Sequence, residues 1–187
     1  KLNAKYAFNS FFKLNGNLNI SKNIRKNYNS IVYDWSTNEI ISQDLKNTNI
    51  AYSPNVVGNI DLIYNAITTQ KHLLNFSLIG KFVGKQYLDN TSNKYSELPA
   101  YYYLNAQINY EIKNTFCPFL KISLLVNNIT NNKYSSNGWI YRFRSAGETL
   151  SPSNDPYLSV EGNNFYNQTG LFPQANINFL SKLTIAF

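Results

Sequence analysis

Residues 101–112 read YYYLNAQINYEI, and their alternation decides the class of fold. The even positions carry apolar or aromatic side chains: Tyr102, Leu104, Ala106, Ile108, Tyr110 and Ile112. Apart from two tyrosines, the odd positions are polar. Because successive side chains of a β-strand point to opposite faces, this alternation is typical of a strand with one apolar and one polar face. A helix would scatter the same apolar residues around its circumference.

The same alternation recurs in six other segments, so we predict seven strands. The six segments are Lys1–Asn9, Lys13–Ser21, Asn55–Ala66, Lys71–Gly84, Leu120–Asn127 and Ala175–Phe187.

The connections between these strands alternate in length. Short turns are predicted near Ser10–Phe12, Ile67–Gln70 and Lys113–Pro118. Long connections are predicted through Asn23–Pro54, Lys85–Pro99 and Asn128–Thr169. Short turns at one rim and long loops at the other are typical of an antiparallel up-and-down transmembrane β-barrel. Long loops of this kind are usually functional.

Aromatic side chains on the apolar faces are spaced for a bilayer. Tyr64 and Tyr110 are predicted near the rim with the short turns, and Phe82 and Tyr102 near the other. The eight residues from Tyr102 to Tyr110 span roughly 26 Å at ~3.3 Å each. A strand tilt of about 40° reduces this to ~20 Å, close to the ~25 Å apolar band between two aromatic girdles. We therefore expect these four residues to contact outer-membrane lipid and lipopolysaccharide.

The composition agrees with a barrel and argues against other classes. Charged residues make up 14% of the chain, below the ~25% of a soluble domain. The net charge is +7, but its cations are spread along the whole chain, so a nucleic-acid partner is not expected. The chain has one cysteine and one histidine, and no metal site or other cofactor is predicted. No acid–base pair, phosphate loop or nucleophile motif indicates an enzyme.

Three motifs resemble those of TonB-dependent outer-membrane receptors of the Bacteroidetes type. Val126–Tyr134 reads VNNITNNKY, similar to a signature near the penultimate strand of that family. Gly170–Ala175 reads GLFPQA and leads to a terminal Phe187, which resembles the family's final strand. Gly84–Thr91 reads GKQYLDNT, similar to an upstream stretch in the same group. The chain departs from the usual pattern at Ile129-Thr130, where Leu-Phe is common.

The resemblance implies that residues 1–187 are the C-terminal portion of a barrel of about 22 strands with a plugged lumen. The plug and the segment that contacts the TonB complex are N-terminal in the family and would be absent here. The implied function is energy-coupled uptake of a scarce nutrient across the cell outer membrane, with an iron–siderophore complex as the expected ligand. Phe187, with Ile185 and Phe179 at alternate positions before it, resembles the signal read by the barrel assembly machinery.

The last long connection carries the candidate ligand-binding residues. Trp139, Tyr141, Arg142 and Arg144 are predicted at or beyond the extracellular end of the penultimate strand. Aromatic rings and guanidinium groups together could stack on and pair with an anionic ligand. The same residues could instead join the upper girdle and bind lipopolysaccharide phosphates.

Two other functions remain open on the residues alone. One is a small outer-membrane barrel with a structural or adhesive role, although seven strands would leave two open edges. The other is a soluble carbohydrate-binding β-domain that uses its aromatic residues as sugar platforms.

Overall fold

The computed structural model describes residues 1–113, 118–147 and 150–186. These residues form fourteen β-strands and one 3-10 helix, Lys94–Ser96. The strands are β1 (Leu2–Ala7), β2 (Phe12–Ile20), β3 (Ile24–Asp34), β4 (Glu39–Asn49), β5 (Val56–Thr68), β6 (His72–Val83), β7 (Gln86–Tyr87), β8 (Glu97–Leu98), β9 (Tyr101–Ile112), β10 (Phe119–Asn127), β11 (Ser135–Arg144), β12 (Leu158–Gly162), β13 (Phe165–Pro173) and β14 (Asn178–Ala186). Within the described ranges, no helix is long and apolar enough to cross a membrane.

The seven predicted strands form one antiparallel sheet in the order β1-β2-β5-β6-β9-β10-β14. The all-β, antiparallel fold class is thus confirmed, and β9 has the predicted bounds. Each neighbour in this order is joined by the next connection along the chain, as in an up-and-down meander. The sheet ends at β1 on one side and β14 on the other.

The long connections are not simple loops: they contribute further strands beyond the seven that were predicted. The first and third long connections supply a second sheet of five strands in the order β12-β13-β11-β3-β4. The middle connection forms the short β7–β8 pair. Strand β3 lacks an apolar alternation because its buried face carries Ser30 and Asp34 as well as Val32, so polar and apolar residues share that face.

One pair of strands departs from the antiparallel pattern. β3 continues from β2 and β11 follows β10, so both run away from the main sheet in the same direction along the meander. They pair in parallel through Phe143 with Tyr33 and Arg144 with Asp34. The β6–β9 connection between them forms only two-residue strands.

The main sheet is inverted relative to a soluble sheet: its polar face is the more buried one and its apolar face is the more exposed one. Asn109 is 9% exposed, whereas its chain neighbour Ile108, on the apolar face, is 38% exposed. Asn109 donates to Asn75 at 3.0 Å and accepts from Ser123 at 2.7 Å, so the polar side chains are bonded across three strands. Among the described residues, no apolar-face side chain of this sheet belongs to the buried hydrophobic core.

The VNNITNNKY motif holds neighbouring segments together through hydrogen bonds at the rim between the two sheets. Asn128 lies at φ 50°, a left-handed conformation that asparagine tolerates. Its backbone N–H donates to Asn105 Oδ1 at 2.9 Å. Its Nδ2 donates to the carbonyls of Asn132 at 2.9 Å and Ala175 at 3.3 Å. The motif therefore joins β9 and the turn after β10 to the segment that leads into β14.

Candidate functional site on the second sheet

The four predicted ligand-binding residues all lie on β11, but the strand divides them between its two faces. Trp139 and Tyr141 lie opposite Gly170 and Gln168 of β13 on one face. Arg142 and Arg144 alternate with them and therefore point to the other face. The sequence placed all four in one site, whereas the structure brings only the two aromatic residues together.

Arg142 is held by a carboxylate that no spacing in the sequence indicates. Its Nε and Nη2 each donate to Glu161 at 2.7 Å, and its guanidinium stacks over Phe165 at 4.5 Å. Glu161 also accepts from Asn93 at 3.0 Å and Asn167 at 3.1 Å. Burial alone would raise the pKa of Glu161, but the bonds from Arg142, Asn167 and Asn93 lower it below its ordinary value.

Arg144 is paired in the same way with a buried carboxylate. Its Nη1 donates to Asp34 Oδ2 at 2.6 Å, and Asp34 is almost fully buried. Burial raises the pKa of Asp34, but the Ser36 amide and the Arg144 guanidinium outweigh that effect and the pKa is lowered. The backbone N–H of Trp35 donates to the backbone carbonyl of Arg144 at 2.9 Å and extends the β3–β11 pairing.

The aromatic face of β11 is extended by Trp35, which the sequence did not indicate. Trp35, at the end of β3, stacks on Phe143 with ring centroids 4.2 Å apart and planes 18° from parallel. Its Nε1 donates to the hydroxyl of Tyr141 at 3.3 Å. Beneath it, Phe143 packs with Leu158 and Tyr166 in the core of the second sheet. Trp35 lies 106 residues from Tyr141, so only the parallel β3–β11 pairing brings the two together.

Trp139 lies flat on the sheet. Its cross-strand partner is Gly170, and a Cβ at Gly170 would overlap the indole ring. The absence of a side chain at Gly170 therefore makes room for the ring. We use the name aromatic platform for Trp35, Trp139 and Tyr141, which share this face and are exposed.

The four predicted girdle residues lie on the apolar face of the main sheet. Phe82 is directly opposite Tyr102 across β6 and β9. Tyr64 stacks between two phenylalanines from neighbouring strands, Phe12 at 4.7 Å and Phe76 at 6.3 Å.

Tyr110 lies near the rim with the short turns. Its hydroxyl is 3.0 Å from His72 Nδ1. The only histidine of the chain thus has a phenolic partner. Over the described ranges, no group of three or more His, Cys, Asp or Glu side chains is arranged to hold a metal ion.

Two of the three residues of the predicted assembly signal lie on β14. Phe179 and Ile185 are exposed on its apolar side, opposite Val126 and Leu120 of β10. Phe187 lies outside the described residues.

No protein-family model matches the chain, and no curated protein matches it. Among solved structures, the ferric yersiniabactin uptake receptor FyuA from Yersinia pestis is similar, with a TM-score of 0.50 and 16% sequence identity. The likeness covers 99% of this chain and 22% of that receptor, so the chain spans about a fifth of the receptor's length. The chain therefore shares the fold of part of that uptake receptor.

Proposed function

We propose that residues 1–187 form the C-terminal barrel portion of a TonB-dependent receptor in the cell outer membrane. The observation that carries the proposal is the inverted main sheet. An apolar face left exposed across seven strands is stable when it contacts lipid, because apolar surface in water costs about 25 cal/mol per Å². The polar face, with its bonded asparagines, suits a hydrated barrel interior.

The ligand we propose is an iron–siderophore complex. The support is the fold likeness to a ferric siderophore receptor, together with three long connections of which two build an ordered sheet beyond the main one. Loops held by a rigid scaffold are where binding residues concentrate.

The proposed partners follow from the same assignment. Lipid and lipopolysaccharide would contact the girdle residues Tyr64, Phe82, Tyr102 and Tyr110. The barrel assembly machinery would bind the final strand through Phe179, Ile185 and Phe187. The TonB complex would act through a plug-bearing part of the receptor outside this chain.

Radioactive iron uptake tests the proposed function. Cells with and without the complete receptor gene would be supplied with labelled ferric complexes extracted from their own iron-starved culture medium. We expect uptake that requires the gene and disappears when an uncoupler collapses the inner-membrane proton gradient. Equal uptake without the gene, or uptake that the uncoupler leaves unchanged, would contradict the proposal.

A further inference from the structure

We infer that a groove at the seam between the two sheets binds lipid A, the phosphorylated and acylated disaccharide of lipopolysaccharide, with a lipid A phosphate paired to Lys133. This inference rests on the proposed outer-membrane location and deepens it, because it names the lipid that one site on the surface would hold. The groove is separate from the aromatic platform, whose residues do not line it.

The groove lies where the starts of β9 and β11 meet the end of β13. Its volume is about 500 Å³, within the range of about 300–1,000 Å³ that is usual for small-molecule sites. Its walls are mostly apolar or aromatic. Leu98 is the most buried lining residue at 1% exposed, whereas Tyr102 and Leu171 are open at 53% and 46%. Walls of this kind favour a ligand with an apolar part, such as an acyl chain.

The groove is continuous with the apolar face of the main sheet. Tyr102 belongs to both, since it lines the groove and lies opposite Phe82 on that face. Both residues are at the rim with the long connections, which is the extracellular rim of an outer-membrane barrel. The lipid at that rim is lipopolysaccharide, whose acyl chains enter the apolar band and whose phosphates stay at its edge. The position of the groove therefore favours lipid A as its occupant.

Lys133, which lines the groove, is flanked by two residues that are fixed to β9. On one side, Asn132 Nδ2 donates to the backbone carbonyl of Tyr102 at 2.9 Å. On the other side, the Tyr134 ring stacks on the Tyr101 ring with centroids 4.6 Å apart. The backbone of Lys133 is thus held beside the apolar walls, and only its long side chain has to adjust to a ligand.

The charge of Lys133 has no carboxylate partner. The residue is exposed, and within the part of the chain that the structure describes no carboxylate is ion-paired with it. Glu97, the chain neighbour of the lining residue Leu98, is paired with Lys85 at 2.9 Å instead. A lysine at the surface of an anionic membrane attracts lipid phosphates. A ligand with a phosphate for Lys133 and an acyl chain for the apolar walls matches both features of the groove.

Native mass spectrometry of the complete receptor in a neutral detergent tests the inference with four lipid probes. Diphosphoryl lipid A is the expected ligand. Dephosphorylated lipid A lacks the groups that would pair with Lys133, and deacylated lipid A lacks the chains that would contact the apolar walls. Phosphatidylglycerol tests whether another anionic lipid binds equally well.

The variants separate the charge from the apolar walls. Lys133→Gln removes the charge, Lys133→Arg keeps it, and Leu171→Gln places an amide in the groove. Lys22→Gln and Ile20→Gln are the matched controls, because both residues are exposed near the same rim and neither lines the groove. We expect diphosphoryl lipid A to bind about fivefold more weakly to Lys133→Gln and about fourfold more weakly to Leu171→Gln. Lys133→Arg and both controls should bind it like the parent protein.

The inference would be overturned if diphosphoryl lipid A did not bind, if Lys133→Gln bound it like the parent, or if the controls lost as much affinity. Phosphatidylglycerol that bound as tightly as lipid A would contradict the choice of lipid. Dephosphorylated or deacylated lipid A that bound as tightly as the intact lipid would contradict recognition through both parts.

Because binding is measured without transport, its failure is distinguishable from failure of the proposed uptake function. A receptor that imports iron but holds lipid A equally well without Lys133 would contradict the inference alone. A receptor that holds lipid A through Lys133 and Leu171 but imports no iron would contradict the uptake function alone.

Discussion

Arg142 and Glu161 form a two-point ion pair in which each carboxylate oxygen accepts from the guanidinium at 2.7 Å. Because Glu161 also accepts from Asn93, this pair joins the β6–β9 connection to the second sheet. The ligand-binding role predicted for Arg142 would require the guanidinium to leave Glu161 or to contact a ligand while still paired.

Glu161→Gln tests how much this pair stabilises the second sheet. The substitution removes the charge opposite a partly buried guanidinium, and we expect a loss of about 1–3 kcal/mol in local stability. Hydrogen exchange of the β11 and β12 amides would measure it. The matched control is Glu97→Gln, which breaks the exposed Lys85–Glu97 pair and should cost less than about 1 kcal/mol. Equal hydrogen-exchange protection of β11 and β12 in both variants would contradict a stabilising role of the Arg142–Glu161 pair.

Acidification should loosen the second sheet. The pKa values of Glu161 and Asp34 are lowered from their ordinary values of 4.5 and 3.8. A carboxyl whose pKa is lowered on folding stabilises the fold above its unfolded value, and this contribution is lost as pH falls through the folded value. Local stability of β11 should therefore be constant from pH 7 to about 5 and fall below about 4. Infrared bands of the two carboxyls, read with isotope-edited variants, would follow the titration. Hydrogen-exchange protection of β11 that rises on acidification would contradict the stabilising role of the two carboxylates.

Gly170→Ala should displace the Trp139 ring. A Cβ there overlaps the indole, and relieving such overpacking costs about 1–3 kcal/mol. Gly16→Ala is the control, since its Cβ would lie 3.6 Å from the nearest atom, the Asn59 carbonyl oxygen. Thermal unfolding of the receptor and a crystal structure of each variant would show the effect. An unmoved indole in Gly170→Ala would contradict the described packing.

The predictable part of the fold is the main sheet, whose two faces differ in polarity. Along β9, polar and apolar side chains separate cleanly because one face is bonded through residues such as Asn109 and the other is left apolar through residues such as Ile108. Period-two alternation is therefore strong, and the main sheet follows from it.

The second sheet lacks such a signal. Val32 and Asp34 of β3 are both buried on one face, so a charged and an apolar residue occupy equivalent positions. The partners of the candidate site residues are also distant: Arg144 and Asp34 are 110 residues apart. Trp139 and Tyr141 could be identified from their residue types, but Trp35 and the pairing of both arginines required the topology.

A charge on the apolar face should destabilise the barrel more than one on the polar face. Leu78 lies midway between the aromatic rows of the main sheet, opposite Ala106. A lysine at the bilayer midplane costs about 2–4 kcal/mol, so Leu78→Lys should lower folding stability in lipid vesicles by that amount. The adjacent Ser77→Lys, on the polar face, should change it by less than about 1 kcal/mol. Urea unfolding in vesicles would measure both; equal costs would count against a lipid-facing Leu78.

The most direct test of the membrane assignment is a spin-label scan of residues 104–109 in the complete receptor, in native outer membranes. Each position would carry a single cysteine in a Cys117→Ser background. We expect labels at Leu104, Ala106 and Ile108 to be accessible to oxygen dissolved in lipid, and those at Asn105, Gln107 and Asn109 to a water-soluble nickel chelate. The alternation in accessibility should have a period of two. Preferential access of the nickel chelate to the even positions, or no alternation, would contradict the claim that this sheet spans a membrane.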